Sequence, residues 1–283
     1  MVQRSFIVLL LAGAIPVLCL AAETDLSSTP QSYYSAELST DVSGSSTLIF
    51  DVNAALASRN RLQIGIGRSE TPNVGLGLGQ MLGAGYSTDP EKSASYGISS
   101  EYWRLSAASG NSVEIWSLSG SAVHLSDRWS LSATPGAKKI NIHILTPSPA
   151  EIVVTSGGLT LAATYYTRGK WSFSTGIEEN RYFGDAATLR NIINIIKFTG
   201  KAPFLASLVR SRYYFEADYG FTDATLTLGL DMNKTVIQPK YKPSAYIRSV
   251  SGLSDSWSLQ TQLGTNSFDF NGWFVSLGLT YAH

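Results

Sequence analysis

Residues 272–283 read Gly-Trp-Phe-Val-Ser-Leu-Gly-Leu-Thr-Tyr-Ala-His. Trp273, Val275, Leu277, Leu279 and Tyr281 form one alternate set, and it is apolar. Ser276, Gly278 and Thr280 lie between them and are small or polar. A period of two places the sets on opposite faces of a strand. Such a strand must turn one face to an apolar phase, either a protein core or lipid. That choice constrains everything else the chain can form.

The same alternation recurs upstream, punctuated by short turns of one style. Ser58-Arg59-Asn60-Arg61, Ser126-Asp127-Arg128, Arg168-Gly169-Lys170, Thr222-Asp223 and Ser254-Asp255-Ser256 each precede an alternating run. Turn formers between alternating runs are the hairpin signal. Trp129, Trp171 and Trp257 directly follow three of these turns. Amphipathic rings collect at a membrane boundary, so this placement marks one rim of the structure. The intervening connections are longer: Asp41–Ser46, Ser69–Asn73, Ala107–Asn111, Gly136–Glu151, Arg181–Pro203, Asn233–Lys242 and Thr265–Asn271.

The first 22 residues have Arg4 as a positive flank, an apolar stretch from Phe6 to Leu20, and the small residues Ala21 and Ala22 before Glu23. This is the pattern of a cleaved secretory signal peptide, leaving 23–283 as one domain. Cys19 is the single cysteine, so the exported part has no disulfide. Past Glu23 no stretch approaches the ~20 apolar residues of a spanning helix. Mean hydropathy is +0.04. Only 15% of residues are charged and 11% are aromatic, which suits strands that show lipid on one side and water on the other. The formal net charge is +0, and no run of basic residues in the sequence suggests nucleic acid.

A final amphipathic strand closed by an aromatic residue resembles the last strand of bacterial outer-membrane β-barrels. In that class it carries the recognition signal for membrane insertion and ends on an aromatic residue. Here Ala282 and His283 follow Tyr281. The resemblance implies an all-β, antiparallel, up-and-down transmembrane barrel in the bacterial outer membrane, with lipid and lipopolysaccharide as its surroundings. One further turn near Thr88–Lys92 brings the count to about fourteen strands. The count is about twelve if a hairpin within 85–125, where alternation slips, is misread. The rival is a soluble β-sandwich, whose strands alternate in the same way. The leader, the turn–Trp placement and the asymmetry of connections favour the barrel.

Alternation assigns Leu48, Phe50, Val52, Leu159, Trp171, Val209, Tyr213, Phe215, Leu228 and Leu230 to the outer face. It assigns Asp51, Glu178, Arg210, Arg212, Glu216, Asp218 and Asp231 to the lumen. A charged side chain on the lipid face at mid-membrane costs about 2–4 kcal/mol, which accounts for the clustering of charge on one face. Those seven residues are the candidates for setting ion selectivity, or for bracing the wall as salt bridges. Glu37 and Glu101 add carboxylates and Arg248 adds a cation, so a weak cation preference is expected.

Three function classes stay open. A passive porin-like channel for ions or small hydrophilic solutes leads. The second is a structural or interaction barrel in envelope assembly or exopolysaccharide export, with envelope-protein partners. The third is a lipid-modifying enzyme. His124-Leu125-Ser126 resembles the H-x-S pair of barrel phospholipases and lipid A deacylases, but Asp127-Arg128 follows instead of their Asn and Gly-type residues. No metal-ligand cluster and no cofactor motif occurs, and His124, His143 and His283 are isolated. Two loops stand out. In Asp185–Gly200, Leu189, Ile192, Ile193 and Ile196 have helical spacing, which suits a constriction, a rim helix or a continued strand. Gly136–Pro149 is basic through Lys138, Lys139 and His143 and suits contact with lipopolysaccharide phosphates.

Overall fold

The computed structural model describes residues 32–41, 45–56, 60–71, 77–88, 94–106, 110–145, 149–184, 208–236, 240–265 and 272–283. These residues form fourteen strands. They are β1 (Tyr33–Asp41), β2 (Ser46–Ala55), β3 (Asn60–Thr71), β4 (Gly77–Thr88), β5 (Ala94–Ser106), β6 (Ser112–Leu125) and β7 (Trp129–Ile144). Next come β8 (Ala150–Tyr166), β9 (Trp171–Gly184), β10 (Val209–Gly220), β11 (Ala224–Thr235), β12 (Lys242–Gly252), β13 (Trp257–Thr265) and β14 (Trp273–Ala282). Each pairs antiparallel with its sequence neighbour, and β1 closes on β14 from Tyr33↔Ala282 to Asp41↔Phe274. The sheet has no free edge. The strand count is fourteen rather than twelve, and the rival β-sandwich is excluded.

The outer wall carries the alternation read from the sequence. Leu48, Phe50, Leu159, Leu161, Phe215, Leu228, Leu230, Leu277 and Leu279 are among its exposed apolar side chains. Short turns close one rim through backbone bonds such as Ser126 N to Trp129 O (2.8 Å) and Thr167 N to Trp171 O (3.0 Å). Aromatic rings pair across strands at this rim. Trp129 lies 4.7 Å from Tyr165, Trp171 lies 4.9 Å from Tyr219, and Trp257 lies 4.9 Å from Tyr281. This is an interfacial girdle on the turn side.

Two sequence expectations are corrected at the opposite, loop rim. Gly136–Glu151 is not a loop, because β7 continues to Ile144 and β8 begins at Ala150, paired as far as Ile144↔Ala150. Likewise β9 continues to Gly184. The 23–30 segment, the leader and Asp185–Gly200 lie outside the described residues.

The reason the first extension was hidden is an inversion of polarity along the strands. In the turn-side part of β7 the outer set is Trp129, Leu131, Ala133, Pro135 and Ala137, and the inner set is Ser130, Ser132, Thr134, Gly136 and Lys138. Beyond that the outer set becomes Lys139, Asn141 and His143, and the inner set becomes Ile140, Ile142 and Ile144. On β6 the outer set changes from Trp116 and Leu118 to Glu114, while the inner set changes from Ser117 and Ser119 to Val113 and Ile115. β5 changes in the same way at Trp103/Arg104, and on β8 the inner set changes from Ser156 to Val154 and Ile152 while the outer set keeps the exposed Val153 beside Thr155 and Glu151. A tilted strand of about 9–11 residues crosses the hydrocarbon. Strands β5 to β9 have 13 to 17 residues. Their loop-side ends therefore stand beyond the apolar belt, where the outer face meets water and the inner face packs.

The belt sets a test. Leu228→Arg places a cation on the outer face and should lower stability in lipid vesicles by about 2–4 kcal/mol. Gln63→Arg, on the solvent-exposed part of the inner face, should change it by less than about 1 kcal/mol. Denaturant unfolding of the two refolded variants measures both. Equal losses would show that inside and outside are exchanged.

Candidate functional site

The lumen is the concave surface this fold offers, and its wall divides into three regions. The first is the apolar loop-side sector. Trp103, Leu105, Val113, Ile115, Ile140, Ile142, Ile144, Ile152, Val154 and Leu208 form one cluster with exposures of 0–7%. The register aligns it in rows, Met81–Trp103–Ile115–Ile140–Val154 and Leu105–Val113–Ile142–Ile152, running across adjacent strands. Neighbours in such a row are about 5 Å apart, so they pack side to side. Here the inner face is apolar, unlike its Ser- and Gly-rich turn-side part. A reversal of alternation within β6 and β7 was the readable signal.

The second region is charged and aromatic and lies on β9 to β12. Arg212 reaches Asp231 with Nη2–Oδ2 at 2.8 Å, and its Nε donates to both carboxylate oxygens at 2.9 and 3.1 Å. Arg248 lies 3.6 Å from Glu216, and the Tyr246 hydroxyl donates to the same carboxylate. Asp218 accepts from Thr227 Oγ1 at 2.6 Å and from Ser172 Oγ at 3.2 Å. Glu178 accepts from Asn180 Nδ2 at 2.7 Å and is the register partner of Arg212. The guanidinium carbons of Arg212 and Arg248 lie 5.4 and 5.9 Å from the ring centroids of Tyr214 and Tyr246.

Two glycines make this arrangement possible. Gly176 is the partner of Tyr214 and Gly229 is the partner of Tyr246. A Cβ on Gly176 would meet the Tyr214 ring at 2.4 Å, and one on Gly229 would meet the Tyr246 ring at 2.2 Å. Each ring lies flat across a neighbouring strand stripped of its side chain. This holds both tyrosines, and the arginines beside them, against the wall.

The third region is the turn-side wall of β2 to β5. Gln63 and Ser99 face inward and are nonetheless exposed. Between them lies Gly85, in the row Gln63–Gly85–Ser99, and the adjacent row is Asp51–Gly65–Gly83–Glu101. A Cβ at Gly83 would meet nothing nearer than 3.8 Å. Glu101 accepts from Trp103 Nε1 at 2.5 Å, and Lys138 approaches it across β6. Water thus reaches the inner wall here, beside the carboxylates of Asp51 and Glu101.

Of the seven lumen candidates, Arg212, Glu216, Asp218, Glu178 and Asp231 come together in the second region. Asp51 stands apart, on β2. Arg210 is the correction. The β10–β11 register shifts between Val209 and Ser211, an extra residue that breaks strict alternation. Arg210 becomes exposed on the outer side, while Val209, expected outside, is buried. Gln262, the partner of Arg248 on β13, is buried, and both its polar side-chain atoms lack a hydrogen bond among the described residues. Ser126 Oγ is engaged with the Trp129 backbone, and His124 is the penultimate residue of β6, exposed on the outer face. Among the described residues no group of three or more His, Asp or Glu is arranged to hold a metal.

Chemically, two of the charge pairs cancel. On the wetted side Asp51 and Glu101 supply two carboxylates against the nearby cation of Lys138. The arrangement braces a wall and shapes the field along a path through it.

A closed antiparallel barrel with an apolar outer belt, an aromatic girdle and a polar inner wall defines an outer-membrane-type transmembrane barrel, porin-like in architecture. No protein-family model and no curated protein sequence matches the chain. Solved structures do match it in fold. CdiB from Acinetobacter baumannii aligns with a TM-score of 0.53 at 8% identity over 89% of this chain and 60% of that one. The toluene transporter TodX of Pseudomonas putida aligns at 0.50 and 9% identity, over 89% and 88% of the two chains. The monoaromatic hydrocarbon channel CymD aligns at 0.52 and 9%, again over 89% and 88%. At these identities the likeness is one of fold.

The Tyr–Gly seats give a second test. Gly229→Ala forces the Tyr246 ring off the wall and should cost about 1–3 kcal/mol of stability as overpacking. Gly83→Ala has room and should be near neutral. Unfolding midpoints of the refolded variants compare them directly.

Proposed function

We propose that the protein is an outer-membrane channel for passive diffusion of ions or small hydrophilic solutes. The observation that carries this reading is the wetted inner wall of β3 to β5. Gln63 and Ser99 are exposed although they face the barrel axis, and Gly83 in the adjacent row leaves the space beside it open. Polar, unobstructed inner surface is what an aqueous path requires. The path would run past Asp51 and Glu101 and then between the apolar loop-side sector and the Arg212–Asp231 and Arg248–Glu216 pairs. Carboxylates beside the path favour cations.

An apolar solute is the second reading, prompted by the loop-side cluster and by the cargo named for TodX and CymD. The cluster's side chains are sealed to 0–7% exposure, so they present almost no surface to a passing molecule. That favours the hydrophilic path.

Single-channel recording of the refolded protein in a planar bilayer tests this. Reproducible conductance steps with a cation-favouring reversal potential are expected. The double variant Asp51→Asn/Glu101→Gln should move that potential toward zero. Gly83→Trp, which fills the open wall, should lower the conductance. A folded barrel that stays silent, or an anion-favouring reversal potential in the native protein, counts against the reading.

A further inference from the structure

The bulge in β10 has an effect outside the barrel. Bulges re-aim a side chain, and this one turns Arg210 to the outer wall next to two other cations. Ser211, the adjacent residue, pairs with Glu179 on β9 and with Lys234 on β11. Arg181 lies two residues from Glu179 toward the loop rim, on the same face of β9, and both Arg181 and Arg210 are exposed. Beside them is an aromatic shelf, with Tyr213 two residues from Ser211 toward the turn rim and Tyr241 level with Lys234. The Tyr213 and Tyr241 rings are 5.6 Å apart, and Lys234 Nζ lies 5.5 Å from the Tyr241 centroid.

The charge of this patch is not cancelled within it. Glu179 is already held by Ser211 Oγ at 2.8 Å and by the Tyr213 hydroxyl at 3.4 Å. Arg68–Glu70, Arg212–Asp231 and Arg248–Glu216 are ion pairs among the described residues, and none of them uses Arg181, Arg210 or Lys234. The height of the patch matters too. Below it the outer wall is the apolar belt of Phe215, Leu228, Leu230 and Met232. The cations begin at the edge of that belt, with the exposed Phe183 two residues beyond Arg181 on the same face, and cations mixed with aromatic rings suit the level of lipid headgroups.

We propose that Arg181, Arg210 and Lys234 bind a phosphate of the outer-leaflet glycolipid, lipid A of lipopolysaccharide. The inference rests on the outer-membrane reading. Guanidinium groups match phosphate oxygens in bidentate geometry. Tyrosine rings at this level suit a sugar headgroup whose acyl chains run down the belt. In this account the bulge exists to bring Arg210 out of the lumen and to the headgroups.

The test uses the full mature barrel refolded in detergent and titrated with bis-phosphorylated lipid A, with bound lipid counted by native mass spectrometry. Arg181→Gln/Arg210→Gln should weaken binding about tenfold or more, the scale of one or two lost charge-assisted bonds. Dephosphorylated lipid A should bind the native protein as weakly as lipid A binds that variant. Lys234→Gln, on a different strand, should also weaken binding and serves if the double variant does not fold. Unchanged binding in a folded variant overturns the proposal. So does equal binding of dephosphorylated lipid, or displacement of lipid A by millimolar inorganic phosphate. Loss of this proposal with intact channel currents would leave the channel reading standing.

Discussion

In hydrocarbon there is no water to satisfy a backbone amide, so every strand edge inside a membrane must be paired by protein. The pairing of β1 with β14 over nine residues is the contact on which the rest depends. It turns an open ribbon of amphipathic strands into a wall with an inside and an outside. Once closed, each residue's face follows from its parity, and the lumen's chemistry follows from which residues that parity leaves inside. Arg212, Asp231, Glu216 and Arg248 can be charged and nearly buried because closure places them facing one another and not lipid.

The wall is not uniform along its axis. On β5 to β8 the polar and apolar faces exchange as the strands leave the belt. The same rule acts at both heights: apolar side chains go where water is not. Within the belt that place is outside, and beyond it that place is inside. The outcome is a lumen with a wetted turn-side half and a packed sector at the loop side. Across from that sector the Tyr–Gly seats lay aromatic rings and arginines flat on β9 to β12. Any aqueous path is therefore shaped by glycines as much as by charges. Gly83 leaves space, whereas Gly176 and Gly229 give space to a ring.

Much of this was legible in the sequence. The alternation of the last strand, the turns that precede Trp129, Trp171 and Trp257, and the length asymmetry of the connections identified a fourteen-strand barrel and its two rims. Five of the seven lumen candidates lie together on β9 to β11. Arg210 did not, because a bulge adds one residue without any mark in the local pattern, and parity beyond it is reversed. Gly136–Glu151 was misread because inverted alternation looks like lost alternation when the wall is assumed to be lipid-facing throughout. The pairing of Tyr214 with Gly176 and of Tyr246 with Gly229 depends on interstrand register, which no single strand's sequence carries.

The central claim is that the wall's polarity inverts where the strands leave lipid, and β7 allows it to be measured position by position. Single cysteines would be introduced by Leu131→Cys, Ala137→Cys, Lys139→Cys, Ile140→Cys, Asn141→Cys and His143→Cys, labelled with a fluorophore, and the barrels refolded in vesicles. Labels at 131 and 137 are predicted to be quenched by a lipid-borne quencher. Labels at 139, 141 and 143 should be quenched by a water-soluble one, and the label at 140 by neither. Lipid quenching at 141 and 143, with aqueous quenching at 140, would contradict the account.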